Sequence, residues 1–168
     1  MAELCDVYDI NRQKTGRLKE RGTLSPDEYF LGVEICIFNH QEEMLIQQRQ
    51  PWKEPWAGLW DLSVGGCAMS GETSQQAATR ELQEEIGVRY DFSIGNACPF
   101  FSLTSENGFY DFYILQKEIA FEQLTVSYEE VQAVKWAKKE EILSLIDQGL
   151  FLPYSKGMIE LCFDQMNK

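Results

Sequence analysis

Three glutamates, Glu81, Glu84 and Glu85, lie close together in the stretch "TSQQAATRELQEEIG". At helical spacing they span about 100° of the surface. Ala78, Leu82 and Ile86 recur at i, i+4 and i+8 and form the apolar stripe beside them. The carboxylates therefore border the core. Like charges three and four residues apart cost roughly 0.2–0.5 kcal/mol per pair. The helix dipole also disfavours anions in the last turns. A positive partner would offset both effects. Arg80 supplies one charge, and Mg²⁺ or Mn²⁺ would suit an all-oxygen donor set better. A solvated acidic helix end is the alternative. Cys67, upstream, carries a thiol, but the sole histidine is the distant His40. A nucleophilic cysteine needs a base or a strongly lowered pKa, so a small loop residue is the better account of Cys67.

These residues need a helix that starts and stops in the right places. Thr73 is a candidate N-cap with Gln76 as its capping-box partner. Gly87 falls where a C′ glycine belongs. Upstream, "LCDVYDI" alternates as a first strand, and residues 11–16 read as a turn-rich break. Residues 30–38 and 44–49 are apolar strands around a turn at 39–43, which suggests a hairpin. Residues 50–66 read as loop. Strands are expected over 99–105, 109–119 and 130–137, then helices over 138–150 and 154–166, separated by Pro153. The class is α+β, or a mixed-sheet α/β fold.

The 168 residues suffice for one domain, and 44% hydrophobic content argues against disorder. A net charge of −12 disfavours nucleic-acid polymers and anionic membranes as partners, since both demand a basic surface. A small anionic substrate remains compatible. The five cysteines form no CxxC pair, so reduced thiols in a cytoplasmic protein are expected. Neither a signal peptide nor a membrane span is legible.

Gly66, five residues, Glu72, seven residues, then Arg80-Glu81-Leu82-Gln83-Glu84-Glu85-Ile86-Gly87-Val88 resembles the Nudix box, and every specified position matches. The resemblance implies a single Nudix domain over 1–168, with its box at 66–88. An N-terminal strand and turn segment at 1–29 and C-terminal helices at 138–167 flank it. It implies an α/β/α sandwich with a mixed central sheet, and a metal-dependent hydrolase that cleaves a diphosphate linked to another moiety. Glu81, Glu84 and Glu85 would hold Mg²⁺ or Mn²⁺, with the Gly66 carbonyl as a further ligand. Arg80 would orient a box glutamate, and Glu72 would stabilise the loop and helix. The base that takes the proton from water would be a box glutamate or one of Glu129 and Glu130. A homodimer is consistent with the family.

The flanks over roughly residues 5–90 are similar to the branch related to isopentenyl diphosphate isomerase. That similarity makes Arg49 and Lys53 the candidate diphosphate contacts. The isomerase itself is the rival reading. Aligned on the box, its catalytic cysteine position is Gly65, a metal-binding histidine position is Cys67, and its acidic pair falls near Glu106-Asn107-Gly108. These departures favour hydrolysis. A non-catalytic nucleotide-binding module is the third reading, and the complete glutamate set opposes it. Trp52, Trp56, Phe109 and Tyr110 offer stacking surfaces for a substrate, whereas Trp60 reads as core. Asp111 is a candidate cleft residue.

Overall fold

Short local signals build most of the elements, and long-range pairing builds the rest. The computed structural model describes residues 3–95 and 97–166. The outermost ends of the expected N-terminal segment and last helix lie outside the described residues. The chain divides into two compact units, each drawn from three stretches. The first comprises Met1–Glu34, Gly65–Glu81 and Arg89–Tyr113; the second comprises Ile35–Val64, Leu82–Val88 and Ile114–Lys168.

In the first unit, β1 (Leu4–Tyr8) pairs antiparallel with β2 (Lys14–Glu20), from Leu4 opposite Glu20 to Tyr8 opposite Lys14. The expected break at 11–16 is shorter than its sequence implies, because β2 starts at Lys14. Its residues, KTGRLKE, are almost wholly exposed and show no buried alternation. The β1 ladder and ion pairs hold it instead. Lys14 meets Asp6 at 2.7 Å, while Arg17 and Lys19 meet the buried Glu28 at 2.5 and 2.6 Å.

The second unit takes its core from strand residues buried on both faces. Ile35, Cys36, Ile37 and Phe38 of β3 (Phe30–Phe38) and Met44, Leu45 and Ile46 of β4 (Met44–Arg49) are fully buried. The expected loop at 50–66 contains β5 (Trp60–Asp61) and the start of β6 (Val64–Cys67). Ser63, between them, is fully buried and satisfied twice. Its hydroxyl accepts from the Ile37 N–H at 2.8 Å and donates to the Leu45 carbonyl.

Helix α1 (Ser74–Ile86) has its residues to Glu81 in the first unit and the remainder in the second. β7 (Phe101–Ser105) and β8 (Gly108–Gln116) form a hairpin in which Phe101 stacks on Phe112, centroids 4.4 Å apart. β9 (Val131–Ala137) pairs antiparallel with β4. The larger sheet runs β5-β4-β3-β8-β7, with β6 on β3 and β9 on β4. Helices α2 (Lys139–Asp147) and α3 (Lys156–Met166) follow, each shorter than its expected span. α3 buries Met158, Ile159, Cys162, Phe163 and Met166. The Phe163 ring meets Phe38 edge to face at 5.0 Å. The fold is α+β, with a mixed sheet and three helices among the described residues. No described helix is long and apolar enough to cross a membrane.

Candidate active site

The box begins in a lattice of ion pairs within the first unit. Thr73 caps α1 reciprocally: its N–H donates to Gln76 Oε1 at 2.9 Å, and its Oγ1 accepts the Gln76 N–H at 3.2 Å. Arg80 grips Glu72 with two bonds, Nε to Oε1 at 2.8 Å and Nη2 to Oε2 at 2.9 Å. It also donates to Glu81 Oε1 at 2.8 Å and to the Cys67 carbonyl at 3.0 Å. Glu72 in turn accepts the Met69 N–H at 2.8 Å. The hydrogen bonds to Glu72 hold the Arg80 guanidinium firmly charged against the opposing effect of burial. Burial pushes the Glu72 carboxyl up, but the Arg80 and Met69 bonds outweigh it and hold it below the usual range. Gly66 completes this corner. A Cβ there would overlap the Glu81 carboxyl and lie 2.7 Å from Glu81 Cγ.

The box ends in the second unit with a different arrangement. Glu85 is buried, 7% exposed, and accepts the neutral Gln47 amide at 2.9 Å. Gly87 turns left-handed at φ +72°, and the Val88 N–H reaches back to the Leu82 carbonyl at 3.3 Å. The loop ahead of β9 takes the last helical carbonyls. The Thr125 N–H bonds the Ile86 carbonyl at 3.0 Å, and the Ser127 N–H bonds that of Glu85 at 2.8 Å. The Glu130 and Val131 N–H groups both return to the Ser127 carbonyl. One loop therefore carries Glu129 and Glu130 and caps the helix that bears Glu84 and Glu85.

Lys53 Nζ donates to Glu130, so two residues singled out separately form a pair. Arg49 donates through Nη2 to the Pro55 carbonyl at 3.2 Å, and its Nη1 lies 3.9 Å from Asp61. Its Nε is buried without a hydrogen-bond partner among the described residues. Asp61 also accepts from the Leu62 N–H at 2.8 Å and the Tyr154 hydroxyl at 3.0 Å. Burial raises its carboxyl despite these partners. Glu84 and Glu129 are exposed.

Several expected site residues are placed elsewhere. Asp111 is buried and anchored by Arg12 at 2.5 Å and by Ser102, so it does not face a cleft. Phe109 is buried and stacks on Tyr29 at 4.9 Å, which removes it as an open platform. Trp60 is half-buried rather than core, with Lys135 over its ring at 4.5 Å. Trp52 and Trp56 are exposed, and Trp52 leans on Tyr128 at 5.5 Å. His40 is an exposed turn residue. Glu106 is exposed, and Asn107 donates to the Ser25 and Glu28 carbonyls at 2.7 and 2.9 Å. Burial pushes the Cys67 thiol up to about 12, which leaves it protonated and unreactive at neutral pH.

Gln47 escaped the sequence reading. Its one signal was a polar side chain at the end of an apolar strand run. Among the described residues, no group of three or more His, Cys, Asp or Glu side chains is gathered to hold a metal ion. The carboxylates of Glu81 and Glu85 are turned to protein donors. The available donors are nonetheless carboxylate oxygens and a strand carbonyl beside a residue with no Cβ, and this set suits a hard divalent cation.

Residues 28–155 match the NUDIX domain. Over 150 residues the chain is 44% identical to a Nudix hydrolase of Listeria monocytogenes, covering 89% of this chain and 88% of that one. It is 29% identical over 131 residues to the isopentenyl-diphosphate Delta-isomerase of Corynebacterium diphtheriae, covering 74% and 71%. A crystal structure from Deinococcus radiodurans superposes with a TM-score of 0.76 at 23% identity, covering 95% of this chain and 99% of that one, and shares the fold. The chain belongs to the Nudix family of hydrolases.

Proposed function

We propose that the protein hydrolyses the diphosphate linkage of a nucleoside diphosphate conjugate or a related organic diphosphate. The observation that carries this reading is α1 itself. A single capped helix presents Glu81, Glu84 and Glu85, and Arg80 and Gly66 fix the position of Glu81. Those glutamates and the Gly66 carbonyl would hold Mg²⁺ or Mn²⁺. When bound, the cation supplies neutralisation of diphosphate charge and a lowered pKa for water.

The remaining work falls to the chain's own groups. Arg49, with a buried Nε that lacks an acceptor among the described residues, and Lys53 are the cations for the diphosphate. In the free protein Lys53 is paired with Glu130. A diphosphate that takes Lys53 leaves the Glu130 carboxylate to accept the proton of the attacking water. Glu84, exposed on the box helix, and the exposed Glu129 are further candidates for that role.

The test is phosphate release from a panel of nucleoside diphosphate conjugates and prenyl diphosphates, with and without Mg²⁺. Mg²⁺-dependent release is expected, and Glu84→Gln should abolish most of it without unfolding the protein. Unchanged release in Glu84→Gln would show the metal assignment to be wrong. Conversion of isopentenyl to dimethylallyl diphosphate without phosphate release would favour the isomerase reading instead.

A further inference from the structure

Alternate residues of a strand share one face. In the first unit this places Phe30, Gly32 and Glu34 together on β3, Gly65 with Cys67 on β6, and Gly108 with Tyr110 on β8. Both β6 and β8 neighbour β3. Three of these positions are glycines, and each gives up its side-chain space to a neighbour. A Cβ at Gly65 would meet the Glu34 carboxyl, 2.8 Å from its Cδ. A Cβ at Gly32 or Gly108 would lie 2.7 or 2.6 Å from the Tyr110 ring. Bare backbone therefore cradles one carboxyl and one phenol. The Tyr110 ring is braced edge to face by Phe30 at 5.5 Å. The Arg21 guanidinium lies over the Phe30 ring at 4.7 Å. Glu34, Gly65 and Tyr110 remain half-buried, so solvent and ligand can reach them.

Gly65 directly precedes Gly66, the first residue of the box, which makes room for Glu81 in the same manner. Two consecutive glycines thus receive two carboxylates, one from β3 and one from α1. Glu81 lies within the box, and Glu34 lies outside it in sequence.

We propose that Glu34, flanked by Tyr110, is a specificity-determining residue that reads the group attached to the diphosphate and selects one bearing a hydroxyl or amino donor over a hydrocarbon tail. The proposal rests on the hydrolase reading above. A hydroxyl or amino group donates to a carboxylate in a strong, charge-assisted hydrogen bond. A hydrocarbon tail would strip water from the carboxylate, the phenol and the Arg21 guanidinium and return no hydrogen bond. A site built to bond a donor rejects the analogue that lacks one more sharply than an apolar pocket rejects an extra methylene.

The experiment uses a matched pair, 2,3-dihydroxypropyl diphosphate and butyl diphosphate, together with their methylene-bridged, non-hydrolysable analogues. Hydrolysis gives kcat/KM for the pair, and calorimetry gives Kd for the analogues. The wild-type protein is expected to prefer the dihydroxypropyl member in both. Glu34→Gln should shrink that preference roughly ten- to a hundredfold. Gly65→Ala keeps Glu34 but takes the space of its carboxyl, and should shrink the preference likewise. Melting temperatures report whether each variant is folded, and either variant alone suffices. Equal shifts for both members, no preference, or a preference for butyl would overturn the proposal. A Glu34-dependent binding preference without hydrolysis would uphold it and overturn the hydrolase reading. Hydrolysis with a preference indifferent to Glu34 would do the reverse.

Discussion

Glu81 and Glu85 stand one helical turn apart and are held in opposite ways. Glu81 answers to a full positive charge, in a lattice where Arg80 also binds Glu72 and a strand carbonyl. Glu85 is more buried, and the amide that Gln47 gives it is neutral. The first arrangement is an ion-pair network that braces a loop against a helix. The second places a buried carboxylate against a polar but uncharged donor. One helix therefore opens in an ion-pair network and closes with a buried carboxylate held by an amide.

The largest expected effect tests the second half of that contrast. Glu85→Gln should lower kcat roughly 10²- to 10³-fold in steady-state assays. A loss under tenfold would remove Glu85 from the chemistry. Arg80→Met should act mainly on folding. It leaves Glu72 and Glu81 without their guanidinium and should cost about 3–5 kcal/mol by denaturant titration. Added Mg²⁺ should not restore it. Gln47→Leu removes a partner of a buried carboxylate and should cost about 1–3 kcal/mol. Here Mg²⁺ should restore much of the melting temperature. If Mg²⁺ rescued both variants alike, the two ends would not differ as described.

Acid stability gives a smaller readout. Glu72 has a folded pKa below its ordinary 4.5. Its contribution is therefore complete above that value and is lost as pH falls through the lower folded value. Wild-type stability should decline below about pH 4.5 more steeply than that of Arg80→Met. The smallest expected effect concerns thiols. Cys98 is exposed, while the Cys67 thiol is pushed up to about 12, so iodoacetamide at pH 8 should label Cys98 first by mass spectrometry.

Where local chemistry decides, the sequence and the structure agree closely. The Thr73 and Gln76 cap, the Gly87 stop and the bounds of β3 and β4 depend on neighbours a few residues apart. Strand β2 escaped because its pairing partner, not its own pattern, makes it a strand. The contacts between Gln47 and Glu85, Lys53 and Glu130, and Arg12 and Asp111 escaped because they join residues 38, 77 and 99 positions apart. Spacing within a motif says nothing of such distances. Asp111 shows the hazard: a lone acid on a strand suggested a cleft, and its partner proved to be an arginine from the β1–β2 turn. Residue type alone also misplaced Phe109, because an aromatic ring reads the same whether stacked or open.

The carboxyl lying over Gly65 constrains which substitutions can be accumulated. A side chain at position 65, where the aligned isomerase has its cysteine, would take the space now filled by the Glu34 carboxyl. Gly65→Cys would therefore oblige the flexible end of the Glu34 side chain to shift, a demand that disappears once position 34 is small. The two positions are therefore coupled: a lineage or an engineer installing a cysteine at position 65 on this scaffold also rehouses the Glu34 carboxyl.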